Sequence, residues 1–128
     1  MKINTLEIWH RILETQKMED LNNLLADDAV FHSPVMYTPQ VGKALVAQYL
    51  SAAFHLFSQY SFTYVREIVS GNEALLEFEA EIDGLYVNGV DVITWNDEGE
   101  ITDFKVMLRP LKAILLVQKK MRVQLQGE

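Results

Sequence analysis

The chain has no cysteine in its 128 residues, which excludes disulfides, a thiol nucleophile and any thiolate metal site. It is short of positive charge as well. With 11 Lys and Arg against 18 Asp and Glu, its net charge is −7, which argues against nucleic acid or an anionic membrane surface as the main partner. No apolar run is long enough to span a bilayer. The opening MKINTLEIWHRILE breaks its apolar residues with Glu7, Arg11 and Glu14, so it does not read as a secretory signal. Together these absences set the expectation of a cytoplasmic protein. There is no repeat, low-complexity tract or linker. Histidine and proline occur only three times each, so the "FHSP" of residues 31–34, which contains one of each, asks for an explanation.

What is present suits one folded unit. A hydrophobic content of 49% with 23% charge is enough to build a core and too apolar for disorder. We read residues 1–128 as a single domain, with a core over about 5–111 and a terminal helix over about 110–126.

Asn4 and Glu7 have the spacing of a helix cap and predict a helix over 4–16, with Leu6, Trp9 and Leu13 on one face and Ile12 beside them. A short helix follows near 19–26, closed by Asp27 and Asp28. Two adjacent acids do not converge well on one ion, so they read as a solvated turn. Residues 29–33 form a strand ended by Pro34. Gly42 opens a long helix over 42–57, whose stripe is Val46, Tyr49, Leu50, Ala53, Phe54 and Phe57, with His55 on the solvated side.

From 61 to 109 the period changes to that of strands. In "ALLEFEAEIDG", Leu76, Phe78, Ala80 and Ile82 alternate with Glu77, Glu79, Glu81 and Asp83, as in a sheet with one covered face and one solvated or interface face. "LYVNGVDVITW" and "EITDFKVMLR" give two more strands, joined by the turn Asn96-Asp97-Glu98-Gly99. Pro110 suits the first position of a terminal helix whose face is Leu111, Ile114, Leu115, Gln118, Met121 and Leu125. Helices followed by a run of strands give an α+β fold: a sheet whose apolar face is covered by helices and which, if strongly curved, forms a cone with an open mouth.

Asp91 stands out among the polar residues. It is flanked by Val90, Val92 and Ile93 on a core strand, where an ionised carboxylate is expensive. It is a functional acid, one half of a structural pair with Arg109 or His32, or an acid at the strand edge near Gly89. His32 is either a proton donor or base at a cavity mouth or an ordinary strand residue, and it points outward if Phe31 and Ser33 point in. Arg109 either binds an anionic group or anchors the terminal helix. Trp9, Tyr49, Phe54, Phe78 and Phe104 line the cavity or fill the core.

The segments "LLADDAVFHSP", "VGKALVAQYL", "GVDVITWNDEGEI" and "DFKVMLRPL" resemble the nuclear transport factor 2-like superfamily, and within it the bacterial SnoaL-like proteins, which are related to ketosteroid isomerases, polyketide cyclases and scytalone dehydratase. The resemblance runs over about residues 5–111. It implies a cone: a curved antiparallel sheet wrapped on the long helix around one apolar cavity. It also implies a homodimer through the outer sheet face, with Glu77 and Lys105 at the interface.

The isomerases carry a general-base aspartate just before the proline, where this chain has Ser33. A serine cannot shuttle a proton near neutral pH without a base to activate it. Their first-helix tyrosine falls on or near Trp9, which can donate one hydrogen bond but is not a phenol. Their third group, an aspartic acid held neutral to donate to an oxyanion, matches Asp91. The cyclases place an acid at the end of the last strand, where Arg109 stands. One position of four is kept, which does not support steroid isomerase or aldol cyclase chemistry of the known kinds.

Two readings follow. The first is a cofactor-free isomerase, dehydratase or hydrolase acting on a small hydrophobic molecule through Asp91 and His32, with Trp9, Ser33, Tyr49, Phe54, Phe78, Phe104 and Arg109 binding it and no metal. The alternative is a non-catalytic ligand-binding or dimerisation module of the same fold. The first requires His32 and Asp91 to face one another across an open cavity.

Overall fold

A computed structural model describes residues 4–126. Asn4 caps the first helix as its spacing predicts, its side chain accepting the Glu7 N–H at 3.0 Å. Among the described residues the order is α1 (Thr5–Thr15), α2 (Met18–Leu24), β1 (Leu25–His32), β2 (Gln40–Val41), α3 (Lys43–Phe57), β3 (Ser61–Ser70), β4 (Glu73–Ile82), β5 (Leu85–Trp95), β6 (Ile101–Arg109) and α4 (Leu111–Leu125). The strands form one sheet in the order β2-β1-β6-β5-β4-β3. β3 to β6 run as an antiparallel meander. β1 joins beside β6 in parallel, a departure from the wholly antiparallel sheet expected. No helix among the described residues is long and apolar enough to cross a membrane.

One face of the sheet is covered. Trp9 and Ile12 of α1, Leu21 of α2 and Val46 and Leu50 of α3 pack with Leu76, Ile93 and Phe104 in one cluster. Ala113 and Val117 of α4 pack with Phe78, Ala80, Ile82 and Val87 in a second. The buried hydroxyl of Thr5 donates to the Gly99 carbonyl at 2.8 Å and ties the start of α1 to the β5–β6 turn.

Register decides which side chains face in, because directly paired residues share a face. Leu76, Asp91 and Val106 form one inner row. Leu75, Val92, Lys105 and His32 form an outer row. β3 carries a bulge between Tyr64 and Arg66: Tyr64 pairs with Phe78, Arg66 with Glu77 and Glu67 with Leu76. The extra residue, Val65, shifts the alternation so that Tyr64 and Glu67 both stand on the inner side, with Glu67 still exposed on this edge strand.

Gly89 allows a close approach within the meander. A Cβ there would stand 2.5 Å from Phe78 Cζ, 2.6 Å from Leu108 Cδ2 and 2.9 Å from the Met107 carbonyl oxygen. The covered face is thus drawn tight at this point of β5.

Three expectations are corrected. β1 begins at Leu25 rather than at residue 29, because buried Leu25 pairs with Ile101 and a register slip before Val30 absorbs the exposed Asp27 and Asp28. These acids lie inside an irregular strand instead of closing a helix, and Lys43 Nζ stands 3.6 Å from Asp27. α4 is rotated from the expected face: Ala113 and Val117 are buried, whereas Leu111 and Leu115 are exposed. Apolar residues are spread around this helix, so the sequence pattern does not by itself select the face on which Ala113 and Val117 pack with Phe78, Ala80 and Val87. Pro110 precedes the first helical residue instead of occupying it.

Candidate active site

Between the inner sheet face and helices α1, α3 and α4 lies a cavity of about 560 Å³, within the range of small-molecule sites. Its walls are mostly apolar. α3 supplies Tyr49, Phe54 and Phe57, the strands supply Phe31, Phe62, Phe78 and Phe104, and α4 supplies Val117 and Met121. The aromatic rings brace one another. Trp9 lies 5.0 Å from Phe54 and 4.9 Å from Phe104, and Phe62 stacks on Phe78 at 4.8 Å.

Three polar groups form a chain in this wall. The indole N–H of Trp9 can only donate, and it donates to the Tyr64 hydroxyl oxygen at 3.1 Å. The Tyr64 hydroxyl in turn donates to Asp91 Oδ2 at 2.6 Å. Asp91 is 6% exposed. Among the described residues no fully enclosed side-chain N or O lacks a partner, and Asp91 Oδ1 has none from the protein, so Oδ1 opens to the cavity.

Burial pushes the Asp91 carboxyl up from its ordinary 3.8 to about 7, against the opposing pull of the Tyr64 hydrogen bond. Tyr64 is raised well above the ordinary phenol value, first by burial and then by the charge and hydrogen bond of Asp91. Near neutral pH the site therefore holds a large share of carboxylic acid, whose proton can be offered from Oδ1 to a ligand oxygen.

Asp91, Trp9, Ser33, Tyr49, Phe54, Phe78 and Phe104, all singled out in the sequence, line this one cavity. Two other candidates lie elsewhere. His32 is on the outer row, where its Nε2 pairs with Asp103 Oδ1 at 2.9 Å. Strand alternation turns Phe31 and Ser33 in and His32 out, so His32 and Asp91 do not face one another, and the enzyme reading that rested on this pair is overturned in that form. Arg109 is exposed and follows lining residue Leu108. Its Nη1 donates to Asn88 Oδ1 at 3.4 Å, and neither it nor His32 is the structural partner of Asp91. The Ser33 hydroxyl accepts the Val35 N–H at 3.1 Å and so shapes the turn after β1.

The sequence reading missed Tyr64, His10 and Glu67. Tyr64 could have been found from the alternation Phe62–Tyr64. Glu67 could not, because it stands on the inner side only by virtue of the bulge, and His10, beside Trp9 on α1, is singled out only by that partner. His10 lines the cavity beside Trp9, its Nε2 is 2.7 Å from Glu67 Oε1, and its ring meets Tyr64 edge-on at 5.6 Å. No group of three or more His, Asp and Glu side chains placed to hold a metal occurs among the described residues.

Comparison with known proteins is consistent with this geometry. Residues 6–104 match the family model described as a SnoaL-like domain. A steroid delta-isomerase from Pseudomonas aeruginosa is 33% identical with a TM-score of 0.90, over 96% of this chain and 90% of that one. A bacterial protein of cystatin-like fold from Silicibacter pomeroyi is 30% identical with a TM-score of 0.84, over 94% of this chain and 84% of that one. An NTF2-like protein of unknown function from Mesorhizobium loti shares the fold at 23% identity and a TM-score of 0.69, over 83% of this chain and 91% of that one. No curated protein matches the chain.

Proposed function

The chain belongs to the SnoaL-like domain family, and from that premise we propose that it is a cofactor-free isomerase of a small, largely apolar carbonyl compound. The observation that carries this reading is Asp91: a carboxyl on an apolar cavity wall, held by Tyr64 on one oxygen and open to a ligand on the other. The ligand's carbonyl oxygen would accept a hydrogen bond from Oδ1. When a proton leaves the adjacent carbon, charge develops on that oxygen, and a fixed donor in a dry site stabilises it more in the transition state than in the ground state. Likeness at 33% identity to a steroid delta-isomerase supports a double-bond shift as the reaction and a ketosteroid-sized compound as the first to try.

The test is turnover of a β,γ-unsaturated ketosteroid to its conjugated isomer, followed by the ultraviolet absorbance of the enone. Wild type should convert it, and Asp91→Leu should lose roughly 10²–10³ in kcat, the usual cost of removing one oxyanion donor. Binding without turnover in the wild type would favour a non-catalytic ligand-binding module, the reading to which Ser33, standing where the isomerases keep their base, lends support. Pairing of two copies through the outer sheet face is part of the same proposal. The exposed Met107 and partly exposed Leu75, Val90 and Val92 on that face are suited to such burial, and sedimentation velocity would test it.

A further inference from the structure

The cavity has an oxygen-facing acid in Asp91, but the position before the proline of β1, where a base would be expected, holds Ser33 with its hydroxyl committed to the turn. A second proton-transfer group borders the same cavity, next to the Trp9–Tyr64–Asp91 relay. His10 follows Trp9 on α1, lines the cavity with its side chain 38% exposed, and lies 2.7 Å from Glu67, which is 41% exposed, so the pair stands at the solvent-accessible edge of the cavity. A carboxylate only accepts, so the hydrogen of the neutral imidazole sits on Nε2 and the lone pair is on Nδ1. A base oriented by a carboxylate is the arrangement that fixes a catalytic imidazole's tautomer.

The β3 bulge makes this pair. In a regular strand without the bulge, alternation from Tyr64 would turn Arg66 inward and Glu67 outward. With it, Arg66 pairs with Glu77 on the outer face at 3.4 Å, and Glu67 joins the inner row of Leu76, Asp91 and Val106. Bulges that re-aim a side chain are over-represented beside active sites. Tyr64 connects the two proton-handling groups, its ring edge-on to His10 and its hydroxyl on Asp91. The other histidine–carboxylate pair among the described residues, His32–Asp103, is on the outer face and outside this cavity.

We propose that His10, oriented by Glu67, is the general base of this cavity and does the work that Ser33 cannot. The inference rests on the isomerase reading above. His10 Nδ1 takes a proton from the carbon between the carbonyl and the double bond. The C–H electron pair moves to form the enol or enolate, whose oxygen is held by Asp91. The imidazolium then returns the proton to the far carbon of the former double bond, and the electrons shift back to restore the carbonyl. One C–H bond breaks and one forms, with no change of oxidation state and no co-reactant.

The experiment uses the same β,γ-unsaturated ketosteroid with wild type, Asp91→Leu, His10→Gln and His10→Ala. Glutamine can still donate to Glu67 but is no base. The expected result is a loss of about 10²–10⁴ in kcat for His10→Gln, KM within about twofold of wild type if the loss is confined to the chemical step, and partial recovery of His10→Ala by added imidazole. Active wild type with an equally active His10→Gln and a damaged Asp91→Leu would overturn the role of His10 and leave the isomerase reading standing. Inactive wild type would overturn both. Should His10→Ala be too unstable to assay, the His10→Gln rate alone decides.

Discussion

The Tyr64 hydroxyl stands 2.6 Å from Asp91 Oδ2, and Trp9 donates to that same hydroxyl from the other side. The tyrosine's proton is therefore directed at the carboxyl, and the second carboxyl oxygen is left for a ligand. This relay accounts for a nearly buried acid among apolar residues without a salt bridge.

Burial of this acid makes stability depend on pH, and the Tyr64 hydrogen bond offsets part of the effect. Asp91 in the folded protein titrates at about 7 against an ordinary 3.8, so between those values the folded state binds more protons than the unfolded one. Stability from this group is intact at low pH and falls as pH rises through that window. The full swing has an upper bound of about 4 kcal/mol. Asp91→Asn should lack this fall, so its urea midpoint relative to wild type should rise from roughly pH 4 to 7 and level off above that. Turnover that depends on the acid form should decline above neutrality.

Tyr64→Phe removes the acceptor for the buried Trp9 N–H and the donor to Asp91 together. An unsatisfied buried donor costs about 1–3 kcal/mol, readable in urea unfolding. Because the Tyr64 hydrogen bond holds the Asp91 carboxyl down, its loss should move the carboxyl's titration higher still, as a shift in its carbon-13 resonance would show.

Gly89→Ala would place a methyl group against Phe78, Leu108 and the Met107 carbonyl. The two side chains can give slightly, but the backbone oxygen at 2.9 Å cannot do so without moving β6. A loss of about 1–3 kcal/mol is expected. Weaker ligand binding should accompany it, since Phe78 and Leu108 both line the cavity.

His32→Ala should leave turnover and ligand affinity unchanged. Its pair with Asp103 is about one-third exposed on both sides, so its removal should cost no more than about 1 kcal/mol in thermal or urea unfolding. A large loss of turnover would bring His32 back into the mechanism.

The α+β arrangement, the long helix and the inward side of β4 were legible because local periodicity matches burial there: Leu76, Phe78, Ala80 and Ile82 are all buried. Asp91 was legible for the opposite reason, as an acid where the pattern demanded an apolar residue. His32 misled as a site residue because a turn with Ser33 and Pro34 drew attention to its sequence position, while alternation had already turned it outward. Glu67 was not legible. Its direction depends on one extra residue in β3, and a bulge is set by tertiary packing and not by any local pattern. Which face of α4 is buried depended in the same way on tertiary packing, at Ala113 and Val117.

The most direct test of the account is the infrared carbonyl stretch of a bound, carbon-13-labelled ketosteroid. Hydrogen bonding from Asp91 should move the band to lower frequency in wild type than in water, and Asp91→Leu should lose that shift. A bound ketone with the same frequency in both proteins would contradict the central claim that Asp91 offers its proton to the ligand's oxygen.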